Sequence, residues 1–585
     1  MMGATGTTGT AVGRRAWLSA CAVAALLVCG TVVFWPALHA RFYFDDHFHA
    51  SMLAGSWPTP RSPLDLYHFV GDGDRAELMN RGVLPWWSSP QLRVRFLRPL
   101  SSLLLAADHR WLTGSPRAMH AHSWLWWCAC VLGARGLYRR VLPARAAWIA
   151  TVVFALAPCH VVALAWLANR EALVSLAFGI AALTALLRWL DSGRFRDAAW
   201  ATGASTLALL GGEYALSLLG YFAAIAVLRR DVAVRRRAWG FASFAAPATA
   251  YLGVRWALHC GARGAGFYVD PFNAPGVFLR AAPRRFASLL SEAWLGLDGR
   301  TLDGAPTWAR ISLAALLVAI VWVPLRRVFS EADTRYGANL RWLLAGAILA
   351  LVPVLAVAAS PRVLGASMCG FAAIVAAVLD SAWWPAAPED RSGASEWTKY
   401  VATALGFAHL VHGPASAWSM GRQFRDVTLF FENNAERLAP SLSEFPADLV
   451  VLRGLGAAFY LPFALEARRA KPATWSILAQ GAHVLVLRTG PRTLELAAPA
   501  GSSLFPSGQD QLFRSDEELF RRGDHVVAPG MRVEVLEVSA AGPRRARFTF
   551  DHDLGDGTTQ YLSENTFGVA PVTLPEIGFG LPLSL

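Results

Sequence analysis

RRAWLSACAVAALLVCGTVVFWPALHARFYFDDHFHA, residues 14–50, sets two arginines before an apolar run and two aspartates after it. Ala16 to His39 is longer than the roughly 20 residues that cross about 30 Å of hydrocarbon as a helix. A secretory signal has a similar outline, yet its apolar region is ordinarily shorter, and Leu38 is a poor third residue before a cut after Ala40. The run therefore reads as a retained first membrane span that delivers Asp45-Asp46 to the face opposite Arg14-Arg15.

The pattern repeats outward from this segment. Apolar stretches fall near 16–39, 119–138, 144–159, 167–188, 197–211, 213–229, 238–258, 309–328, 338–358, 363–384 and 397–420, eleven in all. The 585 residues are 55% hydrophobic and only 16% charged, so the bilayer is the solvent the chain is built for. The formal charge of +13 is carried by arginines grouped at the ends of apolar stretches, a topology signal and not a nucleic-acid footprint. With the N-terminus inside, every even gap is cytoplasmic and Arg-rich: Arg139, Arg140 and Arg145; Arg188, Arg194 and Arg196; Arg229, Arg230 and Arg235-Arg236-Arg237; Arg326, Arg327 and Arg335. Residues 40–118, 259–308 and 421–585 then lie outside. The fifth and sixth stretches are short and meet at Gly211-Gly212-Glu213, which suggests a broken or re-entrant pair buried among other helices.

The expected fold is a polytopic α-helical membrane protein of about 11 transmembrane helices over 1–420, carrying an extracytoplasmic β-rich domain over 421–585. Strand-like runs at Asp448–Leu452, His483–Leu487, Met531–Val538 and Arg545–Phe550, separated by Gly and Pro, support the second part. Seven cysteines lack metal-type spacing and mostly lie in apolar stretches, as small buried hydrophobes do. Only Cys159 and Cys260 fall near the outer surface, where a disulfide could join them.

The outer end of the first span holds the best site candidate, Asp45-Asp46 with His47 close by. Adjacent carboxylates can share a metal, or repel until one becomes a general base near neutral pH. A solvated loop start or helix cap would look the same locally. A divalent cation, Mg or Mn, on Asp45 and Asp46 stays open, because no ligand spacing compels it. Arg98, at the end of the same loop, has the fork that grips a phosphate, although many membrane-flanking arginines merely snorkel. His160, Arg170-Glu171, Glu213, Arg255 and Arg362 recur at outer helix ends, where ionisable groups are costly and default to function.

In this order the residues resemble the GT-C superfamily of glycosyltransferases, particularly protein O-mannosyltransferase-like enzymes and transmembrane tetratricopeptide-containing mannosyltransferases. The resemblance runs through Asp45-Asp46, Arg98-Pro99-Leu100, Pro116 with His120, the stretch from Phe154 and Pro158 through His160 and Trp166 to Arg170-Glu171, then Glu213, Tyr251 with Arg255, and Pro361-Arg362, over about residues 15–385. Ser123 stands where those relatives carry Asn, Gly212 where they carry a basic residue, and Val363 where an aromatic follows the Arg. The resemblance implies a polyprenyl-phosphate-linked sugar donor, a protein, glycan or lipid acceptor, Asp45 as general base, Asp46 in support, and inversion at the anomeric carbon. Arg255 and Arg362 would lead in stabilising the donor phosphate, with Arg98 and Arg170 next and Glu213 holding an arginine in place.

Two other readings share the topology: a lipid or glycan transporter, against which no internal repeat is visible, and a non-catalytic envelope assembly protein that binds a partner through its tail. The Arg-rich, Lys-poor composition suggests a GC-rich bacterial genome, hence the bacterial cytoplasmic membrane, with the eukaryotic endoplasmic reticulum as the alternative.

Overall fold

The computed structural model describes residues 7–112, 114–296, 299–302, 304–331, 334–384, 396–444, 448–470, 472–506 and 511–584. The side chains of Arg14, Arg15 and Arg335, which entered the orientation reading, lie outside the described ones. Every apolar stretch anticipated from sequence is mainly helical, several interrupted by short 3-10, π or turn segments. Among the described residues, four helices are long and apolar enough to cross a bilayer: Leu167–Ser192, Thr307–Ser330, Gly337–Val354 and Gly365–Trp383. A fifth forms if Ala144–Ala155 and Pro158–Ala165, bent by 43°, count as one span. The protein is thus an integral membrane protein with a helical bulk. The difference from eleven has a physical basis: the other stretches are shorter, broken, or interrupted by polar residues. Glu213–Leu228, for instance, begins as a 3-10 turn.

Small residues let the helices approach closely in the centre. Gly365–Trp383 is rich in Ala and Gly and almost wholly buried, and the Tyr221 hydroxyl bonds its backbone at Ala366 and Gly370. Prolines start several helices, among them Pro99–Trp111, Pro116–Val141 and Pro275–Leu295, where the missing N–H costs nothing.

The two long loops expected outside are stitched together. His68–Val70, Arg93–Arg95 and Gly261–Arg263 form a three-stranded antiparallel sheet, with Arg93 opposite Arg263 and Arg95 opposite Gly261. Gly261 is required there: its φ is +136°, and a Cβ would lie 2.3 Å from Asp270 Oδ2 and 2.9 Å from Arg255 Nη2.

The tail departs from a β-rich unit beginning at 421, because the helix Gly413–Glu444 runs straight through that point. Strands begin at Asp448. Asp448–Arg453 pairs in parallel with Thr474–Ile477 and Thr559–Asn565 in a four-stranded sheet that ends on Gly568–Pro571. A six-stranded antiparallel sheet runs Gly580–Leu583, Val484–Gly490, Thr493–Ala497, Gly542–Phe550, Met531–Ser539, His525–Ala528.

The tail and the first outer loop share one hydrophobic core. Trp86 and Trp87 are fully buried against Phe505, Phe520 and Phe548, and Trp86 Nε1 donates to the Leu478 carbonyl at 2.9 Å. Each Trp removes about 200 Å² from water, on the order of 5 kcal/mol gross. The tail is therefore fastened over the loop that carries Asp45.

Candidate active site

Asp45 and Asp46 open the helix Asp45–Ala54, where the helix dipole favours negative charge. The two point to different work. Asp46 is 2% exposed and spends both oxygens on backbone donors, Oδ1 on Ala168 N–H at 2.8 Å and Oδ2 on Tyr43 N–H at 3.0 Å. It pins the loop to the turn Leu167–Arg170. Asp45 instead faces a cavity of about 450 Å³ between the outer loops and the membrane helices. Burial pushes its pKa up to about 7 against the pull of Arg362 and Arg98. Burial also raises Asp46 to about 7 despite its backbone hydrogen bonds.

The residue before them is held in an unusual conformation. Phe44 has φ +42°, which costs a non-glycine residue roughly 1–3 kcal/mol and persists only where packing over-determines it. Its ring stacks on Tyr460 at 4.5 Å and on Phe431 at 5.7 Å. The tail and the long helix leading into it thus fix the backbone at Asp45.

Three arginines line the same cavity, in three electrostatic states. Arg98 is neutralised: Nη2 and Nε donate to the two oxygens of Glu213, and Glu171 lies 3.5 Å from Nη1. Its guanidinium also lies over Tyr67 and Phe96, 4.7 Å from each ring centre. Arg255 is paired with Asp270 and lies near the Phe272 ring. Arg362 has no ion pair among the described residues and sits between Trp166 and Phe267, 5.7 Å from each ring centre. It follows Pro361 in a 3-10 turn at the start of Gly365–Trp383, where Ser360 Oγ accepts its backbone N–H.

Gly212 explains the departure noted in the sequence. A Cβ there would stand 2.7 Å from Glu171 Oε2 and 3.4 Å from Arg98 Cγ, so a basic side chain would collide with the Arg98 cluster. The break between Phe195–Gly211 and Glu213–Leu218 exists to seat Arg98 between two acids.

Several expected site residues lie elsewhere. Arg170 does not reach the cavity, because its donors are consumed internally: Nε by Ser123 Oγ at 2.8 Å, Nη2 by the Met119 carbonyl at 2.9 Å, and Nη1 by Asp108. It is a buried tie between helices, not a phosphate ligand. His160 is 1% exposed, bonds the Phe154 carbonyl through Nε2 and packs edge-on to Phe34, and His47 packs on Phe42; neither lines the cavity. Burial drives the His47 pKa down to about 4. Cys159 and Cys260 are both buried free thiols, Cys159 within the helical core and Cys260 beside the outer sheet, so no disulfide joins them.

Each Asp46 oxygen already accepts one backbone N–H, so Asp45 is the more open carboxylate of the pair. Among the described residues, no three His, Cys, Asp or Glu side chains converge as metal ligands do.

Residues that sequence reasoning did not pick out complete the wall. Tyr67, which donates to the Ala168 carbonyl at 2.7 Å, lines the cavity with Tyr268 and Asp270. Asp270 lay in an aperiodic outer segment with no motif. Its only signal was an acid 15 positions from Arg255.

No family model matches the chain, and no curated protein does. Among solved structures, the chain is similar to ArnT from Cupriavidus metallidurans bound to undecaprenyl phosphate, with 15% identity and a TM-score of 0.41 over 76% of this chain and 84% of that one. For the same enzyme in the apo state the values are 13% and 0.42, over 79% and 86%. For the Archaeoglobus fulgidus oligosaccharyltransferase tethered with an acceptor peptide containing the NVT sequon they are 12% and 0.40, over 80% of this chain and 64% of that one.

Proposed function

We propose that this protein is a GT-C-type glycosyltransferase that moves a sugar from a polyprenyl-phosphate donor to an acceptor hydroxyl on the outer face of a membrane. The observation that carries the reading is Asp45 and Arg362, which has no ion pair among the described residues, on one cavity whose remaining lining is largely apolar. Leu216, Leu219, Leu252 and Val352, from the helical bundle, with Phe278 from the helix Pro275–Leu295 of the second outer segment, offer a polyprenyl chain an oily wall. A cation with no ion pair among the described residues, flanked by the Trp166 and Phe267 rings, suits a phosphate that arrives and leaves.

In this reading a carboxylate with a pKa near 7 is poised as a general base at neutral pH. Asp45 takes the acceptor proton, the acceptor oxygen attacks the anomeric carbon, and the bond to the donor phosphate breaks with inversion. Arg362 meets the charge that develops on the departing phosphate. Arg255 and Arg98, already paired, set the local field and hold the wall. One well-aimed donor of this kind in a water-poor site is worth about 10²–10³ in rate. Asp46, whose oxygens accept backbone N–H groups, supports Asp45 by position, which favours Asp45 as the residue that takes the proton. The donor is read as hexosyl-type, the N-terminus as cytoplasmic, and the membrane as a bacterial cytoplasmic one.

The test is acceptor-dependent release of polyprenyl phosphate from a polyprenyl-phosphate hexose by full-length protein in lipid nanodiscs supplied with a soluble glycoside as hydroxyl acceptor, with and without Asp45→Asn. Equal release by the variant would remove Asp45 as the base.

A further inference from the structure

A second cavity, of about 660 Å³, opens from the same residues. Asp45, Trp166, Tyr268 and Arg362 line both, so the two meet at the proposed base. The second one extends toward the tail, which contributes Tyr460 and Gln480 to its wall. Among the described residues that line it, four are cations, Arg284, Arg285, Arg310 and Arg362, and one is a carboxylate, Asp45.

These arginines are built in. Arg285 is 2% exposed; Nη1 donates to the Leu355 carbonyl at 2.7 Å, while its buried Nε has no partner among the described residues. Arg310 is equally buried, and its Nη1 donates to Ser288 Oγ at 2.9 Å. Burial, with Arg284 beside it, pulls the Arg285 pKa down to about 10. A desolvated guanidinium with an orphaned N–H, next to like charge, is costly to keep, and an incoming oxyanion would satisfy it with charge-assisted hydrogen bonds.

We infer that this second cavity receives the acceptor, and that the acceptor carries an oxyanion, phosphate or carboxylate, near the hydroxyl that is glycosylated. The inference rests on Asp45 being the base. Arg284, Arg285 and Arg310 hold the oxyanion, and Asp45 at the shared mouth meets the hydroxyl. Tyr460 and Gln480 flank the sugar that bears both, which makes the tail one wall of the acceptor site. The oxyanion is a handle and is unchanged: the hydroxyl proton passes to Asp45, the new glycosidic bond forms, and the electron pair of the broken bond leaves with polyprenyl phosphate.

The experiment is equilibrium binding of three soluble glycosides, butyl glucoside, butyl glucoside 6-phosphate and butyl glucuronide, to full-length protein in nanodiscs. Saturating polyprenyl phosphate is present throughout to fill the first cavity. At least one anionic glycoside should bind about tenfold or more tighter than the neutral one, and which of them does so separates phosphate from carboxylate. Arg285→Gln should bring that ratio close to one, Arg285→Lys should keep part of it, and Arg284→Gln, at a less buried position, should lower it with little risk to the fold. Equal binding of all three glycosides by the unaltered protein overturns the inference. So does a preference that survives both Gln variants, or one lost only in Arg362→Gln, which would place the oxyanion in the donor cavity. Binding needs no turnover, so a clear anion preference without release of polyprenyl phosphate would overturn the transferase reading and leave the oxyanion site standing.

Discussion

Arg98 and Glu213, 115 residues apart, are locked by two hydrogen bonds, Nη2 to Oε1 at 2.9 Å and Nε to Oε2 at 3.1 Å. With Glu171 on its remaining nitrogen, one guanidinium balances two carboxylates and ties the first outer loop to the break in the helices. Arg98→Ala strands both acids in a largely buried place, and should cost about 3–5 kcal/mol, seen as a lowered melting temperature in detergent. Arg98→Lys keeps the charge but loses the fork, so it should fall between the two. Unchanged melting of Arg98→Ala would show that the cluster is solvated and free to exchange partners.

The raised pKa of Asp45 makes activity and stability run in opposite directions with pH. Its folded value is about 7 against 3.8 unfolded, so the fold favours the neutral acid. Between those values the folded state binds more protons, and stability declines as pH rises from about 4 to about 7. The base is formed over the upper part of the same window, so the transfer rate should rise with unit slope and level off above about pH 7. Asp45→Asn should lower the rate by about 10²–10⁴ and remove the Asp45 step from the pH profile, yet melt at or above the unaltered protein at pH 8. A rate still rising steeply past pH 9 would point to a different base.

Some of this was legible in the chain and some was not, for physical reasons. Apolar length identifies helices, because the period and the bilayer thickness are both encoded locally. The strands Met531–Ser539 and Gly542–Phe550 occupy runs that alternate in sequence, and Asp448–Arg453 occupies a short continuous apolar run, as a central parallel strand does. Arg170 shows the limit. An arginine at an outer helix end reads the same whether it waits for a phosphate or serves Asp108, and Asp108 lies 62 residues upstream on another helix. Spacing carries no information about partners that far apart. Trp86-Trp87 gave no hint of a core either, since their neighbours Phe505 and Phe548 come from the far end of the chain.

Arg170 and Arg362 should therefore respond oppositely to truncation. Arg170→Ala leaves Asp108 buried without its cation and frees Ser123, which predicts a loss of about 3–5 kcal/mol and poor recovery of folded protein. Arg362 has no ion pair to break among the described residues, so Arg362→Ala should melt nearly normally while kcat drops about 10²–10³-fold. The split is measured by comparing melting curves with release of polyprenyl phosphate. Similar stability losses in both variants would mean that Arg362 is structural too.

The last expectation concerns the joint between tail and loop. Trp86 fills the space among Phe505, Phe520 and Phe548 and satisfies its one polar atom on Leu478, so truncation removes packing and strands a carbonyl. Trp86→Ala should cost about 3–5 kcal/mol. Because Tyr460 stacks on Phe44 and Phe44 holds Asp45, loosening the tail should also relax the strained turn at the base. Limited proteolysis should then cut within residues 448–584 faster than in the unaltered protein, and the residual activity should fall by more than the loss of folded protein explains. A variant that sheds its tail to protease yet transfers sugar at the full rate per intact membrane domain would separate the tail from the chemistry.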